Sequence, residues 1–348
     1  MKKHIALISE HASPLAALGG VDSGGQNVYV GEIARHLTDR GYEVDIFTRW
    51  DNREYPRVIT WIPNVRIVHV EAGPVETVEK EQLFAYMPQF TEKMLAFIKE
   101  ERIHYELIHA NFWMSAMVAA DLKRILEIPF VVTFHALGFI RKMFQGSDDK
   151  FPPERTEIEK QIVAEADQII AECPQDKEDL ILYYHAPPEK ITIIPCGFNP
   201  HEFYPIDPLL ARKVLKLNPD EFIVLQLGRI VPRKGIDNVI RAMGKIKQTA
   251  TPARLIVVGG ETDNVDPEHN PEIGRLQQVA EEAGISKQVV FTGRKQRDAL
   301  KYYYAAADVF ITTPWYEPFG ITPLESMACG TPVIGSNVGG IKYTVEYG

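Results

Sequence analysis

Trp315-Tyr316-Glu317-Pro318-Phe319-Gly320-Ile321-Thr322-Pro323-Leu324-Glu325-Ser326-Met327-Ala328-Cys329-Gly330 follows the apolar run Val309-Phe310-Ile311, which reads as a buried strand ending at Thr312-Thr313-Pro314. Thr322 is a good N-cap and proline is favoured at the first helical position, so a short helix is predicted from Pro323, with Gly330 as its stop. Two carboxylates frame the turn, Glu317 in the loop and Glu325 in the first helical turn. Between them the backbone N–H groups of Phe319, Gly320 and Ile321 lie near a helix N-terminus, a natural seat for an anion. A structural reading competes with this one. Thr322 and Glu325 fit a capping box, and the prolines could simply fix a loop. Glu317, eight residues before Glu325, is the part that a cap does not explain.

Working outward, the same strand–turn–helix unit recurs along the chain. Residues 4–9 read as a buried strand, followed by the glycine-rich Gly19-Gly20-Val21-Asp22-Ser23-Gly24-Gly25-Gln26-Asn27 and a helix running to Gly41. Strands are expected at 43–48, 65–70, 106–110, 130–135, 168–172 and 190–195, with helices at 81–101, 113–126, 154–166 and 175–184. The segment 141–153 is polar and irregular and reads as a loop. Residues 197–208 carry Pro200, Pro205 and Pro208 with little periodicity and read as a linker. The pattern then restarts, with strands at 222–228, 254–259, 288–292, 309–312 and 332–335 alternating with helices at 235–248, 271–284 and 297–307. Strict alternation predicts an α/β protein of two Rossmann-like parallel-sheet domains, 1–196 and 209–348, with a cleft between their strand ends.

Bulk properties narrow the function. At 348 residues the chain can hold two cores, and a net charge of -9 argues against general binding to nucleic acid or acidic membranes. Cys173, Cys196 and Cys329 form no zinc or disulfide pattern, and no run is long enough to span a membrane, so a cytoplasmic protein is expected.

Three further features carry chemistry. The glycine loop is neither G-x-G-x-x-G nor a P-loop, yet a bare turn does not need its two glycine pairs; close backbone approach to a ligand is favoured. His135 stands at the carboxyl end of a strand, where open α/β sheets bind ligands, although a lone histidine is also commonly structural. In Gly228-Arg229-Ile230-Val231-Pro232-Arg233-Lys234-Gly235, Arg229 leaves a strand tip and Lys234 precedes a helix N-terminus. A lysine there opposes the helix dipole unless an anion lies between, and the pair suits a diphosphate.

In this order and spacing the stretches 19–30, 133–138 and 228–235 and the pair Glu317/Glu325 resemble the retaining GT-B glycosyltransferases of family 4 (group 1), the family that includes sucrose-phosphate synthase and the mycothiol glycosyltransferase. The resemblance covers essentially the whole chain. It implies transfer of a hexosyl unit from a nucleoside-diphosphate sugar, UDP-sugar favoured, to a sugar or sugar-phosphate-like acceptor, with no metal and no further cofactor. It implies that Arg229 and Lys234 hold the donor diphosphate, Glu325 the ribose hydroxyls and Glu317 the sugar hydroxyls. Phe319, Gly320 and Ile321 would meet sugar or phosphate through their N–H groups, and His135 the donor sugar at the reaction centre. Gly25 and Asn27 would approach the phosphates, with Gly24, Gln26, Lys80 and Arg155 on the acceptor. Phe112 stands where mycothiol enzymes carry a tyrosine, and Ala136 replaces a hydroxyl residue common after the histidine. Relatives continue past the point where this chain stops, so a C-terminal truncation is expected. A catalytically silent partner subunit and a sugar-nucleotide epimerase are the competing readings.

Overall fold

The computed structural model describes residues 3–16, 24–246, 253–260, 262–265, 267–268 and 270–346. These fall into two compact units, one holding 3–16 and 25–195, the other holding Gly24 and the residues after Pro195. Gly19 to Ser23 of the glycine-rich stretch lie outside the described residues.

The first unit runs β1 (His4–Ile8), α1 (Gly25–Asp39), β2 (Glu43–Arg49), β3 (Val58–Ile62), β4 (Val65–Val70), α2 (Met87–Glu101), β5 (Tyr105–Asn111), α3 (Trp113–Leu126), β6 (Phe130–Thr133), α4 (Gly138–Gln145), α5 (Arg155–Glu165), β7 (Gln168–Ala171), α6 (Pro174–Tyr184) and β8 (Ile191–Ile193). Its strands lie in the order β3-β4-β2-β1-β5-β6-β7-β8. The inner strands are runs of Ile, Val, Leu and Ala because both faces of a helix-covered parallel sheet are buried. Strand order reverses at β1, which pairs with β2 on one side and β5 on the other.

Sequence and structure differ here in four places. β3 was not expected, and it pairs antiparallel with β4, so this sheet is mixed. The helix expected over 81–101 is a 3-10 turn at Lys80–Tyr86 followed by α2. Pro88 explains the break, since it has no N–H to give and its ring crowds the carbonyl four residues back. The expected loop at 141–153 begins inside α4. Gly25, Gln26 and Asn27 form the first turn of α1, not a loop.

The second unit runs α7 (Pro208–Leu215), β9 (Phe222–Leu227), α8 (Ile236–Ile246), β10 (Ala253–Val258), α9 (Pro271–Glu282), β11 (Val289–Phe291), α10 (Arg297–Ala306), β12 (Val309–Thr312), α11 (Ile321–Ala328), β13 (Val333–Gly335) and α12 (Ile341–Thr344). Its five strands are all parallel in the order β11-β10-β9-β12-β13. β9 is the switch point, flanked by strands reached in opposite directions, which makes the ends of β9 and β12 the natural ligand edge. α7 was not expected from the proline-rich stretch, although Asp207 caps it by accepting from Leu209 and Leu210 N–H at 2.8 and 3.1 Å. α11 starts at Ile321, two residues before the expected Pro323, and its N-cap is Gly320, not Thr322.

Candidate active site

In the second unit, the turn after β9 and the loop after β12 are stitched together. Trp315 N–H donates to the Arg233 carbonyl at 2.9 Å, and the Thr313 hydroxyl donates to the Gly235 carbonyl at 2.6 Å. The approach is so close that a Cβ on Gly235, whose φ is +61°, would stand 2.1 Å from the Thr313 oxygen. Only glycine fits there.

This stitching brings Lys234 onto Glu317. The ammonium donates to Glu317 Oε2, Arg233 Nη1 stands 3.4 Å from the same oxygen, and the Lys234 and Glu317 side chains are each 14% exposed. Burial pushes the Lys234 ammonium down to about 8, with Arg233 and Arg229 adding to the effect and Glu317 opposing it. Burial works the other way on Glu317, but Lys234 and Arg233 outweigh it and hold the carboxyl down at about 2. Arg229, half-buried just past β9, adds its charge to both groups. A Cβ on Gly24 would lie 3.4 Å from its Nε.

Glu325 is not the capping-box carboxylate that Thr322-x-x-Glu325 suggests. It is 3% exposed, and it accepts from Arg297 Nη1 at 3.2 Å and from the Tyr304 hydroxyl at 3.0 Å. Burial raises its pKa against the pull of Arg297 and Tyr304. Arg297 also binds Glu202 at 2.6 Å and lies over the Phe203 ring. Sequence reading missed Arg297 and Tyr304 because only the tertiary fold brings α10 beside α11. Phe319 and Gly320 are packed by the glycine pair near the C-terminus: Gly340 N–H reaches the Pro318 carbonyl at 3.1 Å, and a Cβ on Gly340 would meet the Phe319 carbonyl at 2.4 Å. Ile321 opens α11 just beyond them.

In the first unit, the ends of β1, β5 and β6 meet. Gln26 donates to the Ser9 hydroxyl and the Asn111 carbonyl, both at 3.1 Å, and Asn27 donates to the Ser13 carbonyl at 2.9 Å. Both amide nitrogens therefore anchor α1 to the turn after β1. His135, with φ of +58°, has Nδ1 3.2 Å from Glu172 Oε1 and Nε2 3.1 Å from Asn111 Oδ1. Neither Asn111 nor Glu172 was singled out in the sequence.

The two basic residues expected on the acceptor are placed differently from each other. Lys80 opens the 3-10 turn and stands 4.0 Å from Glu81. Arg155 is buried. Its Nε binds Glu159 at 2.7 Å, its Nη2 donates to the Ala136 carbonyl, and its plane lies over Phe112 and Phe151. Arg155 Nη1 has no hydrogen-bond partner among the described residues. No group of three or more His, Cys, Asp or Glu among them is placed to hold a metal ion, and no helix is long and apolar enough to cross a membrane.

Comparison with known proteins fits this arrangement. Residues 23–202 match the family model for Glycosyltransferase Family 4, and residues 210–348 match that for Glycosyl transferases group 1. The chain is 36% identical to a D-inositol 3-phosphate glycosyltransferase of Acidothermus cellulolyticus, over 99% of this chain and 78% of the relative. The corresponding enzyme of Mycobacterium marinum is 35% identical over 99% of this chain and 73% of its own length. Among solved structures, sucrose-phosphate synthase from Thermosynechococcus elongatus superposes with a TM-score of 0.90 at 36% identity, covering 99% of this chain and 84% of that one. The chain belongs to the family 4, group 1 glycosyltransferases; it has their two-domain GT-B fold and is a hexosyltransferase.

Proposed function

We propose that the enzyme takes a hexosyl unit from a nucleoside-diphosphate sugar, with UDP-sugar favoured, and passes it with retention of anomeric configuration to a sugar or sugar-phosphate acceptor. The observation that carries this reading is the setting of Lys234. Its ammonium is largely buried beside Arg233 and Arg229, and burial with like charge outweighs Glu317 and lowers its pKa to about 8. A ligand bearing two or more negative charges relieves that cost, and the diphosphate of a sugar nucleotide is such a ligand.

In this reading Arg229 and Lys234 stabilise the charge that develops on the departing nucleotide, an electrostatic contribution that needs no nucleophile from the protein. Glu325, oriented by Arg297 and Tyr304, takes the ribose hydroxyls. Glu317 accepts from hydroxyls of the donor sugar, while Phe319, Gly320 and Ile321 offer backbone N–H groups. Gly25 and Asn27, in the first turn of α1, are assigned to donor phosphate through the backbone N–H groups that a helix N-terminus leaves free. Gly24, Gln26, Lys80 and Arg155 belong to the acceptor side. A phosphorylated acceptor is supported by the names of the relatives and by the spare donor on Arg155 Nη1.

The test is calorimetric binding of UDP, GDP and ADP to the purified chain and to its Glu325→Ala variant. UDP should bind best and lose affinity in the variant. Transfer to inositol 3-phosphate should then be followed by NMR, where an α-configured product from an α-configured donor marks retention. A folded sample that binds none of the three nucleotides would overturn the reading in favour of a silent partner subunit.

A further inference from the structure

The hydrogen bonds around His135 constrain the roles of its two ring nitrogens. Asn111 lies at the end of β5 and is 1% exposed. Its Nδ2 faces two backbone carbonyls, Ile8 and His109, each at 3.3 Å. An amide nitrogen can only donate to these, so Asn111 must turn its oxygen toward His135 Nε2. That oxygen only accepts, which requires a proton on Nε2. On the other edge of the ring, Nδ1 lies 3.2 Å from Oε1 of Glu172, itself 4% exposed; an ionised Glu172 only accepts, and accepting there requires a proton on Nδ1. With Glu172 ionised, both ring nitrogens are donors, the arrangement of an imidazolium.

The remaining groups packed on the ring agree. Tyr29, from α1, presents its ring edge-on at 4.8 Å. Its hydroxyl pairs with the Thr133 hydroxyl at 3.3 Å. His109 on β5 bonds the same threonine at 2.9 Å and is neutral, its pKa pushed down to about 3 by burial and by the charge of His135. Behind Glu172, Asp176 accepts the Glu172 backbone N–H at 3.0 Å, and burial together with Glu172 pushes its carboxyl up to about 8.

We propose that Glu172 and Asn111 are positioning residues that hold His135 as a fixed imidazolium, so that His135 serves transfer as a positive charge of set orientation and not as a proton acceptor. With both nitrogens protonated the ring has no lone pair with which to take a proton from the acceptor hydroxyl. The second half of the proposal rests on the glycosyltransferase reading; the protonation state does not.

The experiment is nitrogen NMR of the resting protein labelled at the histidine imidazoles, at pH 7.5. The His135 signals are identified by their loss in His135→Asn, asparagine being tolerant of positive φ. Both His135 ring nitrogens should carry protons in the parent protein. In Glu172→Gln one of them should lose its proton, and turnover should fall about tenfold to a hundredfold with nucleotide affinity unchanged. An unprotonated nitrogen in the parent spectrum overturns the proposal, as does a doubly protonated ring in Glu172→Gln. If that variant fails to fold, the parent spectrum still decides. Absence of transfer by a parent protein with the expected spectrum would count against the acceptor or donor assignment and leave the imidazolium standing.

Discussion

Gly339 lies so close to Glu317 that a Cβ on it would come within 1.7 Å of the Glu317 carbonyl oxygen, and its φ is +48°. A residue near the end of the described chain thus fixes the backbone of the loop that carries the Glu317 carboxylate. Gly339→Ala should destabilise the second unit by about 1–3 kcal/mol, as expected for overpacking against backbone. Gly330→Ala is the control: φ there is +86° but the nearest atom is 4.0 Å away, so only conformational strain of about 1 kcal/mol applies. Urea unfolding of the two variants, with nucleotide binding measured alongside, tests the ranking.

Lys234 and Glu317 should prove energetically coupled, their single substitutions not adding in the double variant. Lys234→Ala leaves a largely buried carboxylate with only the more distant Arg233, at 3.4 Å, and should cost about 2 kcal/mol as well as about a hundredfold in turnover. Glu317→Gln should also destabilise. The double variant should recover stability toward the parent while staying inactive. Equal stability losses that simply add would show that the pair is not coupled.

The pH dependence follows from the two depressed groups. Lys234 is shifted from its ordinary 10.5 to about 8, so kcat/KM, which reports free enzyme, should fall as pH rises through about 8. Bound diphosphate favours the ammonium, which places the kcat limb higher. Lys234→Arg should erase the limb, because a guanidinium does not lose its proton in this range. Glu317 is held at about 2 against an ordinary 4.5, so its stabilisation is fully present above about 4.5 and is lost as pH falls toward 2. Acid titration of Glu317→Gln should lack that component.

Tyr304→Phe removes one of the two hydrogen bonds on Glu325 and leaves a buried carboxylate oxygen short of a donor. The expected cost is about 1–3 kcal/mol in stability. Nucleotide affinity should fall as well, though by less than in Glu325→Ala. Unchanged affinity in Tyr304→Phe would mean that Arg297 alone orients the carboxylate.

What was readable in the sequence were features written into neighbouring residues. The buried strands announce themselves as short apolar runs, and β4, α3 and β12 keep their expected bounds. Asp207 followed by Pro208 was a readable helix start that the surrounding prolines obscured. α4 is different in kind. Its first two free N–H groups are satisfied by Glu159 and Tyr184, with Gly138 N–H at 2.9 Å from Glu159 Oε2 and Phe139 N–H at 2.8 Å from the Tyr184 hydroxyl. Those caps come from α5 and α6, so no local pattern records them. The site divides in the same way. Glu317, Lys234 and His135 stand out by position at strand ends, but their partners Arg297, Tyr304, Asn111 and Glu172 are chosen by tertiary contact. The capping-box reading of Glu325 failed because its carboxylate finds a guanidinium and a phenol across the helix pair instead of its own helix N-terminus.

The switch at β9 also has a consequence for the order in which the second unit can assemble. During synthesis the chain delivers β9, the Lys234 turn, β10 and β11 first, and these can pair among themselves. β12 and the Glu317 loop arrive some eighty residues after Lys234, and Gly339 and Gly340 follow. In the interval the early half carries Arg229, Arg233 and Lys234 beside an unfilled sheet edge with no Glu317 to oppose them. Arrival of the late half both completes the sheet and brings the carboxylate, so nascent-chain stability should rise sharply once Gly340 has emerged.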